Sequence, residues 1–265
     1  MARVEALLAA SVVWVSAPSG ARGEEPSPWL EQCSKGSVVR GIDVSSWQGE
    51  IDWSTARTAG ARFAYIRVSD GATAPDPQFA RNWEETARAG VVRGAYQYFR
   101  PAEEPEEQAD LFLDLVGAPA KGDLPPALDV ETSGDLETEA VVARIERWVS
   151  RVRRATSMTP VIYTSASAWV TSTGNTDRFH KLALWIAHHE AACPNTPVAW
   201  PRWTFHQSTA SSVLEGVTGP VDIDLFQGSL GALERLRLQD AAAARMAWKK
   251  WRRLHPPAPM LTDVP

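Results

Sequence analysis

Eight short apolar runs divide the chain between residues 38 and 226, and they carry polar side chains at or near their ends. They are "VVRGIDV" (38–44), "RFAYIRVS" (62–69), "VVRGAYQYF" (91–99), "LPPALDVE" (124–131), "PVIYTS" (160–165), "LALWIAH" (182–188), "RWTFHQS" (202–208) and "VDIDLF" (221–226). Val, Ile and aromatic residues dominate them, the composition expected of strands. The stretches between them change period. Val141, Ile145, Trp148, Val149 and Val152 recur at helical spacing within 136–154, with arginines on the other face. Ala109, Phe112, Leu113 and Val116 do the same behind Pro105, a favoured first-turn residue. Residues 77–90 also read as a helix, closed by Gly90. Beyond residue 165 the helical signal fades: 166–181 is weakly helical, and "EAACPNTPVAWP" and "TASSVLEGVTGP" read as loops.

Strand–helix alternation with eight strands predicts one α/β domain over 38–233, a modified TIM-like (β/α) barrel with its last helices missing or shortened. An open doubly wound sheet is the alternative, but no GxGxxG follows the first strand to give it a dinucleotide site.

In such a barrel the C-terminal ends of the strands share one face, and that face holds the active site. Polar residues collect where this geometry needs them: Asp43, Tyr96, Gln97, Tyr98, Asp129, Glu131, Tyr163, Trp185, His206 and Gln207, with Asp222 and Asp224 in the last run. Asp129 and Glu131 stand at i and i+2 of a strand, so they share a face with Cα atoms roughly 6.5 Å apart. Asp43 and one of Asp222 or Asp224 come from the first and last strands, neighbours once a barrel closes. Crowded, half-buried acids repel one another and lose hydration, so at least one should hold its proton near neutral pH. One protonated and one ionised carboxyl is what glycosidic cleavage uses. Four acids could also hold a hard cation, and a lone DxE is often only a solvated strand end. "HHE" at 188–190 lacks HExxH spacing, and "TSASAW" is not a GxSxG elbow. The expectation is a site with no metal and no cofactor.

A net charge of −5 gives no reason to expect nucleic acid as a partner. Twelve tryptophans among 23 aromatics admit two readings, core filling and stacking on sugar rings. At the N-terminus, Arg3, the apolar run Ala6–Val15 and the small residues from Ser16 to Ala21 read as a signal peptide over 1–21, followed by a lead-in over 22–37. The run is too short for a comfortable membrane span, so export without stable membrane insertion is expected. Residues 234–265 form a basic helical and proline-rich tail. Arg235, Arg237, Arg245, Lys249, Lys250, Arg252 and Arg253 face only Glu234 and Asp240 there. It reads first as a solvated helix on the barrel's outside, and second as a contact for an anionic wall polymer or membrane surface.

"GIDVSSWQGEIDW", "FAYIRVSDG", "GAYQYFRP", "LPPALDVE", "PVIYTS", "LWIAHH" and "GPVDIDLF" occur in the order seen in glycoside hydrolase family 25 lysozymes, the CH-type muramidases, which this chain resembles over roughly 38–230. The signal peptide predicts a secreted protein, extracellular or periplasmic, and a monomer is expected; the resemblance implies an enzyme acting on peptidoglycan glycan strands. It would hydrolyse the β-1,4 bond between N-acetylmuramic acid and N-acetylglucosamine. It also implies that Asp43, Asp129, Glu131 and Asp222 form the catalytic cluster, with Glu131 as general acid. Tyr96 and Tyr163 match family tyrosines, and Tyr98, Trp185 and Gln207 join them as expected substrate-binding residues. His189, His206 and Ser208 depart from the family's usual Tyr, Trp and Tyr, a change expected to alter how a sugar or peptide stem is held. Cys33 and Cys193 are expected to pair, pinning the N-terminal segment to the barrel. A non-catalytic wall-binding module on the same fold, and a hydrolase of another N-acetylated glycan such as chitin, are the competing readings.

Overall fold

The computed structural model describes residues 27–237 and 241–256. The expected signal peptide, the first residues of the lead-in and the proline-rich end of the tail lie outside them.

Eight strands close into a barrel: β2 (Val38–Val44), β3 (Phe63–Asp70), β5 (Val92–Tyr98), β6 (Ala127–Asp129), β7 (Val161–Ser165), β8 (Ala183–Ala187), β10 (Phe205–Ser212) and β11 (Val221–Gln227). Three further short strands lie outside that ring: β1 (Trp29–Glu31) pairs with β9 (Asn195–Pro197), and β4 (Ala74–Pro75) flanks β3. From β2 through β3, β5, β6, β7, β8 and β10 the barrel pairings are parallel. β11 instead runs antiparallel to both β10 and β2. Only residues 213–220 separate it from β10, whereas a parallel crossover needs a dozen residues or more. The chain therefore turns back as a hairpin. An all-parallel barrel would present the C-terminal end of this strand at the mouth; here it is the N-terminal end, with Asp222.

The helices cover the early half of the barrel: α1 (Trp53–Thr58), α2 (Phe79–Arg88), α3 (Pro105–Val116), α4 (Thr138–Thr156) and the short α5 (Ala166–Thr173). None connects β8 to β10 or β10 to β11. α4 buries most of the apolar stripe read from its spacing: Val141, Ile145, Trp148 and Val152 are each fully buried, and Val149 is half-buried against the same core. Its outer arginines bind α3, through Arg147 to Glu106 and Arg151 to Asp110. After β11 come α6 (Leu230–Leu236) and α7 (Ala241–Leu254). α7 packs on α4, with Trp251 buried, Arg151 lying over its ring and Arg252 paired with Asp114.

The barrel interior is aromatic. Phe63 meets Phe205 at 5.3 Å between ring centroids, Phe205 meets Phe226 at 5.3 Å, and Tyr65 stacks on Trp185 at 4.7 Å. Tyr96 and Tyr163 lie edge-on to Trp185 above them. Rings this large fit only because facing positions are small. A Cβ added to Gly94 would lie 2.4 Å from the Tyr65 ring, and one added to Gly41 would lie 2.5 Å from Phe63. The tryptophans elsewhere mostly fill the layer between barrel and helices; Trp53, Trp148, Trp169, Trp200 and Trp203 are all buried there.

Gly94→Ala should therefore overpack the column and destabilise the fold by about 1–3 kcal/mol. Denaturant unfolding measures this directly, and an unchanged midpoint would contradict the packing described.

Candidate active site

Each acid reaches the barrel mouth by its own local route. Pro125 and Pro126 have no N–H to give a sheet, so β6 is only three residues long. Asp129 ends it, buried, and the chain then leaves the sheet with Glu131 at the exposed lip. Asp43 sits near the end of β2, directly opposite Asp222 at the start of β11. Asp224, two residues on, lies deeper and is fully buried.

The four expected catalytic residues, Asp43, Asp129, Glu131 and Asp222, line a single cavity of about 250 Å³. The five expected substrate-binding residues, Tyr96, Tyr98, Tyr163, Trp185 and Gln207, line it too. Their environments differ. Trp185 forms the floor: it is 1% exposed, stacked on Tyr65, and donates through Nε1 to Asp224 Oδ1 at 2.7 Å. Gln207 is fully committed within the protein. Its Nε2 donates to Asp43 Oδ2 at 2.8 Å and to Asp222 Oδ2 at 3.3 Å. Its Oε1 accepts from the Tyr163 hydroxyl at 2.9 Å and lies 2.8 Å from His189 Nε2. The amide thus ties the closing strands to β7 and fixes the acids, rather than offering free groups to a ligand.

Burial separates these carboxyls from ordinary ones. It pushes Asp129 well above the usual carboxylate range, the negative charge of Glu131 pushes it further, and Arg67 partly opposes both. Burial also raises Glu131, while a hydrogen bond with Asp129, the nearby His189 and the Tyr163 hydroxyl pull it back. Asp43 is raised well above its ordinary value by burial and then by the charges of Asp224 and Asp222. Asp222 is raised by burial. Asp224 is pushed up to about 8, burial outweighing the Trp185 hydrogen bond. With Asp224 at about 8, the cluster keeps a proton at neutral pH. One Asp129 oxygen, Oδ1, is buried without a partner.

Four cavity residues, Ser45, Trp47, Gln48 and Arg67, were missed in the sequence, and Trp47 and Arg67 are the two with a chemical part to play. Trp47 is 84% exposed, yet it stands on a rigid 3-10 turn over Ser46–Gln48. Ser45 Oγ accepts from Trp47 N–H, Gln48 Oε1 accepts from Ser45 N–H, and Asp76 Oδ2 accepts from Ser46 N–H. A ring held this way in water gives a sugar a preset face. The signal was present as Ser45-x-x-Gln48, a capping box. Arg67, the other, is fixed by Asp76 and Ser46 and brings a positive charge to the cavity wall. Among the described residues, Glu31, Cys33 and Cys193 alone bring three ligand-type atoms within metal-binding distance, and the two cysteines there form a disulfide.

The sequence profile of glycosyl hydrolases family 25 matches residues 42–217. The chain belongs to glycosyl hydrolase family 25. Lysozyme M1 of Streptomyces globisporus is 38% identical over 207 residues, covering 74% of this chain and 70% of that protein. The N,O-diacetylmuramidase of Arthroderma benhamiae is 30% identical over 234 residues, covering 85% and 97%. The crystal structure of the bacterial lysozyme from Streptomyces coelicolor superposes with a TM-score of 0.73 at 37% identity, covering 76% of this chain and 98% of that one.

The three departures from the usual family 25 pattern fall in different places. His189 is at the site, against Gln207. His206 is buried away from the cavity, with Nε2 at 2.9 Å from the His188 carbonyl and its ring edge-on to Trp203. Ser208 bonds the Ile223 carbonyl. Of the three, His189 is the one placed to touch a ligand.

Asp224 gives a pH test. Its pKa is about 8 when folded against an ordinary 3.8. Between those values the folded protein holds a proton that the unfolded chain has lost, so stability falls as pH rises through that window. Asp224→Asn keeps an acceptor for Trp185 and removes this titration. Its thermal midpoint should decline less than wild type between pH 4 and 8; parallel declines would rule the assignment out.

Proposed function

We propose that this family 25 enzyme is an N-acetylmuramidase that hydrolyses the β-1,4 bond between N-acetylmuramic acid and N-acetylglucosamine in peptidoglycan. The observation that carries this reading is the unequal carboxyl pair lining one cavity, Asp129 buried and Glu131 at the exposed lip. The lysozyme and muramidase names of its relatives support the substrate. An intact acid cluster speaks against a non-catalytic module.

In the mechanism we infer, an N-acetylated sugar binds against the cavity with Trp47 as a stacking face. The unpartnered Asp129 oxygen takes the substrate's acetamido N–H. Asp129 thereby gives up its proton to Glu131, which delivers it to the glycosidic oxygen as that bond breaks. The acetamido carbonyl oxygen attacks the anomeric carbon, and Asp129, now ionised, balances the positive charge on the ring so formed. Water then opens the ring and gives its proton to Glu131. Asp43 and Asp222 both accept from Gln207 Nε2, which favours this substrate-assisted route over direct attack by either.

Export fits the disulfide, which persists in oxidising compartments. No helix among the described residues is long and apolar enough to cross a membrane.

Incubation with purified peptidoglycan should release fragments ending in reducing muramic acid; cleavage of chitin alone would favour the other glycan. Glu131→Gln should lower kcat by about 10²–10⁴, the usual contribution of a general acid. Wild-type turnover by that variant would remove Glu131 from the mechanism.

A further inference from the structure

The cavity does not end at Glu131. A groove of about 530 Å³ continues from Glu131 and Tyr163 past Ser165, Ser167 and His189. It meets a second stretch of about 290 Å³ that shares Ser165, Ser167 and His189 and finishes against Trp29 and Asn195. Trp29 belongs to β1, outside the barrel, and is half-buried.

β1 is held in place by several independent ties. It pairs with β9 in the register Trp29 to Pro197. The Cys33–Cys193 disulfide closes the ribbon. Gln32 N–H donates to the Pro194 carbonyl, and Trp203 Nε1 donates to the Gln32 carbonyl, each within 2.9 Å. Asn175 Nδ2 donates to the Pro28 carbonyl at 2.9 Å on the other side. A tryptophan positioned this firmly at the end of a groove that begins at the reacting carboxyls is a built binding surface.

We propose that the β1–β9 ribbon adds a distal subsite in which Trp29 stacks on an N-acetylated pyranose ring of the same glycan strand, beyond the sugar held at the acid cluster. This rests on the muramidase reading. The groove's chemistry selects the sugar over the stem peptide. Beyond Glu131, neither stretch presents a carboxylate, ammonium or guanidinium. Hydroxyls, an amide and imidazoles match a neutral acetamido sugar, whereas a peptide's charged groups would find no counter-charge. The disulfide acts here as a positioning device: it holds Trp29 at the groove and takes no part in the chemistry.

The test compares wild type, Trp29→Ala and Trp29→Phe on long peptide-free glycan strands, on strands carrying stem peptides, and on the shortest oligosaccharide that wild type cleaves. Trp29→Ala should raise KM for long peptide-free strands about tenfold with kcat unchanged. Its turnover of the short substrate should match wild type, which shows that the variant is folded. Trp29→Phe should recover most of the loss. A reductant acts on one bond, since the chain has two cysteines, and should mimic Trp29→Ala on long strands. Equal KM for wild type and Trp29→Ala on long strands would overturn the subsite. A defect seen only on strands that carry peptides would overturn it in favour of peptide binding. Strand binding by Glu131→Gln, with and without Trp29→Ala, separates the two readings. If wild type cleaves nothing but binding depends on Trp29, the muramidase reading fails and the subsite stands. If strands are neither cleaved nor bound, both fall.

Discussion

Asp222 on β11 sits opposite Asp43 on β2 in the register that closes the barrel, and the arrangement at the mouth depends on that pairing. It sets two acids side by side, puts Asp224 beneath them, and brings Gln207 on the adjacent β10 within reach of both. A shift of one residue would turn every side chain of β11 to the other face. The hairpin that reverses β11 is thus a feature of the site as well as of the fold.

Beneath the acids, the aromatic column supplies a dry floor. Trp185 is buried among Tyr65, Tyr96 and Tyr163 and spends its one donor on Asp224. Low dielectric around that pair makes each added charge costly, which is why the cluster retains protons. Stability and chemistry pull in opposite directions here. Three buried acids, Asp43, Asp129 and Asp224, weaken the fold at alkaline pH, and the same burial prepares a carboxyl that can donate at neutral pH.

Much of this was legible in the sequence because apolar runs and polar strand ends carry their own signal. The eight strands, the α4 stripe and eight of the nine expected residues that meet at the cavity followed from it, while the choice of Asp222 over Asp224 came from the family resemblance. The direction of β11 did not, since an apolar run has the same pattern read either way; the short 213–220 connection was the overlooked clue. Gln207 was expected to meet substrate, but its four hydrogen bonds exist only in three dimensions. Trp47 and Trp29 were hidden among twelve tryptophans, because stacking and core filling draw on the same residue. The stretch before residue 38 read as a lead-in pinned by Cys33, but its strand did not, since three residues pairing with a distant loop leave no periodicity.

The central claim is that burial and Glu131 together hold a proton on Asp129. Carboxyl ¹³C NMR titration of wild type and Glu131→Gln tests it most directly. Asp129 should titrate well above 3.8 in wild type and move down, while staying above that value, once the neighbouring charge is gone. An Asp129 that titrates near 3.8 in both proteins would contradict it.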